Sequence, residues 1–132
     1  YNFIIDVSSI SDFADQDIDT SNMVNEKPIY YIIGQSDLVL GSSFSGFGYL
    51  ALISCTNITA MNADVGGVLL VNTTISTISN VSSHNSGYGI HLSDSSNNDI
   101  INCNSYNNED GGIYFYIFII GSIVDIDCIT SS

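Results

Sequence analysis

An all-β chain coiled as a parallel β-helix, a β-solenoid of about 20–25 residues per rung, is predicted by three observations. The segment Asn80-Val81-Ser82-Ser83-His84-Asn85 matches Asn102-Cys103-Asn104-Ser105-Tyr106-Asn107 in residue type, 22 residues further on. Apolar and polar residues alternate over short stretches such as Gly89-Ile90-His91-Leu92, which turns Ile90 and Leu92 to one face and His91 to the other. Asn and Asp recur at matching places between these stretches, where a short polar residue tolerates the left-handed backbone of a corner and can bond to the copy stacked above.

Taken from the N-terminus, the chain begins on Tyr1-Asn2-Phe3-Ile4-Ile5 with no obvious polar cap. Residues 11–28 are polar and acidic and are expected to form a loop inserted between rungs of one domain covering residues 1–132; a connection that long points to a role of its own. Tyr30-Tyr31-Ile32-Ile33, Leu38-Val39-Leu40 and Tyr49-Leu50-Ala51-Leu52 read as less regular rungs, the last two separated by the Gly- and Ser-rich residues 41–48. From there the columns become regular. Ile58, Ile78, Ile100 and Ile123 form one, and Met61, Val81, Cys103 and Ile126 a second. Gly67-Val68, Gly89-Ile90 and Gly112-Ile113 form a third, and Leu70, Leu92 and Phe115 a fourth. Asn80, Asn102 and Asp125 share a corner, with Ala60 breaking that ladder at its first rung. A leucine-rich repeat has a similar length but requires a dense Leu framework that is absent.

Charge narrows the function classes. Lys27 is the only basic residue against 14 acidic ones, for a formal net charge of −13, so phosphate backbones and anionic headgroups are repelled. Nucleic acid and membrane-surface partners are excluded on that ground, and no apolar stretch is long enough for membrane insertion. No leader begins the chain, so an exported protein would have lost it. A surface rich in Ser, Thr and Asn suits an extracellular, cell-surface location. Cys55, Cys103 and Cys128 are odd in number and cannot all pair. Cys103 and Cys128 lie one rung apart in columns two residues apart, too far for an unstrained bridge, and read as buried thiols; Cys55, near a corner, is the one expected to be accessible.

Several segments carry a family resemblance. Asp17-Ile18-Asp19-Thr20-Ser21-Asn22 followed by Lys27-Pro28-Ile29-Tyr30-Tyr31, the run Leu50-Ala51-Leu52-Ile53-Ser54-Cys55-Thr56-Asn57-Ile58-Thr59, Leu69-Leu70-Val71-Asn72-Thr73-Thr74 and Ser95-Ser96-Asn97-Asn98-Asp99-Ile100 resemble the recurring segment of NosD-like β-helix proteins of archaeal, methanogen-type cell surfaces. The likeness covers about residues 17–115. It implies a right-handed parallel β-helix, often repeated within long envelope proteins, and no particular reaction. The chain departs from that pattern at Glu26, where the family commonly has Gly, and at Ile113-Tyr114-Phe115-Tyr116-Ile117-Phe118-Ile119-Ile120, where a polar corner is expected.

The second departure is the strongest site signal. Alternate side chains of a strand point outward, so Tyr114, Tyr116, Ile117, Phe118, Ile119 and Ile120 cannot all face a solenoid core. Either the acidic loop or a neighbouring domain shields them, or they form a contact between copies, a homo-oligomer or filament. Of the sequons, Asn57 and Asn72 sit at or beside corners and are candidates for glycosylation, whereas Asn80 is a ladder amide and is worse placed. Asp15, Asp17, Asp19 and Glu26 have the spacing of a calcium loop, but Thr20 replaces the Gly of the sharp turn, Asn22 replaces an apolar residue and the flanks do not read as helices; an acidic surface loop is the default. Copper, which the family name suggests, needs converging imidazole and sulfur ligands, and His84, His91 and Met61 do not converge. Asp94, Asp99, Glu109 and Asp110 sit at corners rather than in one column, so catalysis is not expected, and no cofactor is. The expectation is therefore a non-enzymatic structural subunit of a fibre, sheath or envelope layer. The alternative is a carbohydrate-binding or polysaccharide-processing module with surface glycans as partners.

Overall fold

The computed structural model describes residues 3–5, 7–41, 46–116 and 124–130, with side chains described as far as Tyr114. It is a parallel β-solenoid of about four turns. The elements are α1 (Ile10–Ala14), β1 (Met23–Val24), β2 (Lys27–Ile33), β3 (Val39–Leu40), β4 (Tyr49–Ile53), β5 (Thr59–Val65), β6 (Val68–Val71), β7 (Thr77–His84), β8 (Tyr88–Ser93), β9 (Asn98–Tyr106), β10 (Gly111–Tyr116) and β11 (Val124–Thr130). Two sheets result, in the orders β1-β2-β4-β6-β8-β10 and β11-β9-β7-β5-β3. A single-residue bridge column, Ser36-Thr56-Thr74-Ser96, joins them at one corner.

Two of the expected columns are confirmed by register: Val68, Ile90 and Ile113 stack, as do Leu70, Leu92 and Phe115. The other two are corrected. Ala60, not Ile58, lies against Ile78, and Ala63, not Met61, lies against Val81. Rung length causes the slip: neighbouring corners are separated by 20 residues between Asp37 and Asn57 and by 18 between Ser54 and Asn72. The next rung takes 22, between Thr73 and Ser95. On the last rung, Ile126 pairs with Ile100 and Asp125 with Asp99; Ile123 lies outside the described residues. Cys128 pairs with Cys103, so the two-residue offset expected between them does not exist.

Corners are built from left-handed residues. Asn62, Asn80 and Asn102 have φ of 60°, 52° and 52°. Asn80 Nδ2 donates to Asn62 Oδ1 at 2.7 Å, so the amide ladder starts at Asn62 rather than being broken at Ala60. Asp37, Asn57, Ile75 and Asn97 form a second such column, with φ from 56° to 61°, and Ser54, Asn72 and Asp94 a third. Ile75 is the exception, a β-branched residue in a conformation that crowds its Cβ, and its side chain is exposed. The same strain falls on Glu26. With Asn25 it forms a two-residue hairpin turn between β1 and β2, both at positive φ (52° and 65°), a conformation that Gly adopts without strain. Relieving either site, by Ile75→Asn or Glu26→Gly, is expected to stabilise the chain by about 1 kcal/mol each, read as a higher midpoint in urea.

Inside the coil, Leu50, Leu52, Ile58, Val68, Leu70, Ile78, Ile90, Leu92 and Ile100 are buried to 1% exposure or less. Each contributes about 1.5–3 kcal/mol by leaving water. Buried polar residues line its corners in hydrogen-bonded stacks. Thr73 Oγ1 accepts from Cys55 N (3.3 Å), Ser95 Oγ from Thr73 N (3.1 Å) and Asn98 Oδ1 from Ser76 N (2.9 Å).

Residues 11–28 do more than loop out. They hold most of α1, the strand β1 and the start of β2. Phe3, Ile5, Ile10, Phe13, Ala14 and Ile18 pack on the outer face of the first sheet, against Tyr31, Tyr49, Ala51, Ile53, Leu69 and Val71. Tyr31 Oη ties this cover down by donating to Phe13 O at 2.7 Å, and burial pushes its phenol up to about 12. β4 and β6 are thus buried on both faces. At the start of the coil, β1 runs antiparallel along two residues of the edge of β2, so that edge is covered in part.

Candidate functional site: an aromatic cleft on the outer face

Register sets the site. Along the outer face of the first sheet, Tyr31, Ala51, Leu69, His91 and Tyr114 occupy one column, one residue per rung. The covering segment packs on the residues from β2, β4 and β6; beyond them the column continues as rings. Tyr88 and Tyr114 stack with centroids 4.3 Å apart and planes 13° from parallel. His91 meets Tyr88 edge-on at 5.5 Å and Tyr114 at 5.0 Å. These offset-stacked and edge-to-face arrangements are the favoured ones for aromatic quadrupoles.

Two cavities open beside the rings. One, of about 220 Å³, is walled by Phe3, Tyr49, Leu69 and Tyr88, with Ser86 and Asp110 as polar neighbours. The other, of about 360 Å³, is walled by Val7, Val71 and Tyr114, with Ser8, Ser9, Ser93 and Asp94 as polar neighbours. Ile5, Phe13 and His91 line both, so the two are lobes of one cleft between the N-terminal segment and the sheet.

Burial holds the His91 imidazole below its ordinary value of 6.5. The unfolded chain therefore takes up this proton first. The stability contributed by neutral His91 is complete above pH 6.5 and is lost as pH falls from there through its folded value. The thermal midpoint of the chain is expected to fall more steeply over that window than that of His91→Gln. Equal slopes would show that His91 is not the group responsible.

A second cluster lies at the far corner of the rungs. His84 Nε2 contacts Asp64 Oδ1 at 2.6 Å, its Nδ1 lies 3.0 Å from Asn85 Nδ2, and its ring stacks on Tyr106 at 5.0 Å. Lys27 Nζ donates to Asp64 O at 3.3 Å, beside a cavity of about 120 Å³. His84 and His91 belong to different faces, as the sequence columns suggest, and this pair was not singled out because Asp64 sits a full rung before His84.

The remaining candidates are dispersed. Asp15 caps the end of α1, so the calcium-like spacing is entered from a short helix, contrary to the reading of its flanks. Asp19 accepts from Ser21 N at 3.0 Å and from Ser21 Oγ, bonds that hold its carboxyl below the usual range. Asp17 is exposed, and Glu26 is exposed in the β1–β2 turn. Among the described residues no three His, Cys, Asp or Glu side chains gather at one point. Asn57 and Asn72 are exposed at corners, but each is a ladder amide like Asn80, donating to Asp37 Oδ1 (2.8 Å) and Ser54 Oγ (3.1 Å) respectively. Cys55 is buried rather than accessible; its thiol donates to Ile32 O and Ile53 O, both at 3.4 Å, and burial pushes its pKa up. Of the apolar run, Tyr114 is in the ring cluster, Tyr116 pairs with Ser93 through its backbone, and Ile117, Phe118, Ile119 and Ile120 lie outside the described residues. No described helix is long and apolar enough to cross a membrane. Comparison with protein-family models, with curated proteins and with solved structures finds no match to this chain.

Proposed function

We propose that the chain is a structural β-solenoid of an extracellular cell-surface fibre, sheath or envelope layer, joined to copies of itself through its strand edges. One observation carries this reading. Among the described residues the second sheet ends on β3 and β11, each paired on one side only, and β3 presents Val39 at 64% exposure next to Leu38 at 37%. Among the described residues the first sheet ends on β10 at one side and is covered at the other along the two residues of β1. An unpaired edge is a template for another strand, and a contact between opposite ends of a coil does not close, so it propagates into a filament.

Val39→Lys tests it, because a charge on an exposed edge opposes strand addition without touching the core. The parent chain is expected to form ordered polymers in negative-stain micrographs and Val39→Lys to remain dispersed. A parent chain that sediments as a monomer at all concentrations would refute the reading. The carbohydrate-binding alternative is favoured by a separate feature, the aromatic cleft.

A further inference from the structure

We propose that the cleft between the N-terminal segment and the Tyr88–His91–Tyr114 rings binds a neutral pyranose oligosaccharide. The stacked tyrosines divide it: Tyr88 lines only the smaller lobe and Tyr114 only the larger, while His91 borders both. Each lobe therefore has one of the two stacked tyrosines in its wall, and an aromatic wall suits the C–H face of a sugar, which is apolar and flat. Each lobe also places a carboxylate and serine hydroxyls near its ring, Asp110 with Ser86 in one and Asp94 with Ser8, Ser9 and Ser93 in the other. A carboxylate accepts and a hydroxyl both donates and accepts, which matches the hydroxyl rim of a pyranose.

Charge selects among sugars. A chain of net charge −13, with a carboxylate in each lobe, repels uronates and sulfated sugars. Two ring-walled lobes favour an oligomer over a monosaccharide, because linked units add their binding without a second loss of translational freedom. The site is independent of strand-edge association, since β3 and β11 belong to the other sheet.

The test is a titration of the chain, followed by NMR of its aromatic side chains, with neutral β-1,4-glucan, α-1,4-glucan and β-1,4-mannan hexasaccharides, and with hexagalacturonate as the anionic comparison. At least one neutral hexasaccharide is expected to shift the Tyr88, His91 and Tyr114 ring signals saturably, and hexagalacturonate to leave them in place. Tyr88→Ala and Tyr114→Ala should each weaken binding about tenfold. Ser8→Trp, an exposed position that fills the larger lobe, should do so with the fold intact by circular dichroism even if a ring variant fails to fold. The proposal is overturned if no neutral hexasaccharide gives a saturable shift, if Ser8→Trp binds as the parent does, or if hexagalacturonate binds as well as the neutral sugars. Ring signals that move with protein concentration in the absence of sugar would assign the cleft to a second copy and also overturn it.

Discussion

Gly89→Ala is expected to destabilise the chain by about 3 kcal/mol, seen as a lower urea midpoint at unchanged slope. Gly89 is the glycine before the inward Ile90, and a Cβ on it would overlap Ser105 Oγ and lie 2.5 Å from Asn108 Nδ2 and 2.8 Å from Ser83 Oγ. All three side chains are buried and belong to one network. Asn108 Nδ2 donates to Ser105 Oγ (2.9 Å), Ser105 Oγ to Gly112 O (2.8 Å), and Asn108 Oδ1 accepts from Ser86 N (3.1 Å). A methyl group therefore both overpacks the corner and displaces hydrogen bonds that water cannot replace. Adding Ser105→Ala to Gly89→Ala should recover part of the loss, giving a coupling between the two sites that additive effects would not show.

Asn98→Ala is expected to cost about 2–3 kcal/mol. Asn98 is fully buried; its Oδ1 accepts from Ser76 N at 2.9 Å and its Nδ2 donates to Thr73 O at 2.9 Å. Thr73 O keeps a bond from Ser96 N, so the orphaned group is the Ser76 N–H, left beside a small cavity. On the rung below, Ser76 Oγ does the equivalent work by accepting from Ile58 N at 3.0 Å. Asn98→Ser should accordingly lose less than Asn98→Ala. Equal losses in thermal unfolding would mean that packing volume, not the acceptor, is what the corner needs.

The repeat, the parallel solenoid and two of four core columns were legible in the sequence because Val68, Ile90 and Ile113, and Leu70, Leu92 and Phe115, keep both their type and their spacing from a Gly. At their first rung the misread columns share one cause. Aligning Ile58 with Ile78 instead of Ala60 is a two-residue slip, and a slip of two preserves the inward–outward parity that strand reading depends on. Only the shorter rung between Ser54 and Asn72 gives it away, and its length shows once the corners are seen to stack. The left-handed role of Asn80 and Asn102 followed from their side chains, whereas nothing in Ile75 signals a left-handed corner.

The cleft was missed for a different reason. Alternation assigns outward side chains to solvent, but the runs Tyr49-Leu50-Ala51-Leu52-Ile53 and Val68-Leu69-Leu70-Val71 do not alternate, and unbroken apolar runs mark strands buried on both faces. Residues 113–120 carry the longest such run and draw that inference first. Applied to β4 and β6 as well, it calls for a cover, and Phe3, Ile5, Ile10 and Phe13 were available in the sequence to supply it.

The ladders of corner and strand also determine how the molecule carries load. Their inter-strand hydrogen bonds run along the coil axis, so tension applied along that axis strains one rung's bonds at a time, as a zipper opens. Each rung released would lengthen the chain by roughly 70 Å, taking about 20 residues at full extension. A force across the axis instead spreads over all the rungs it crosses. Such a body yields gradually when stretched end to end and stands stiffly against bending.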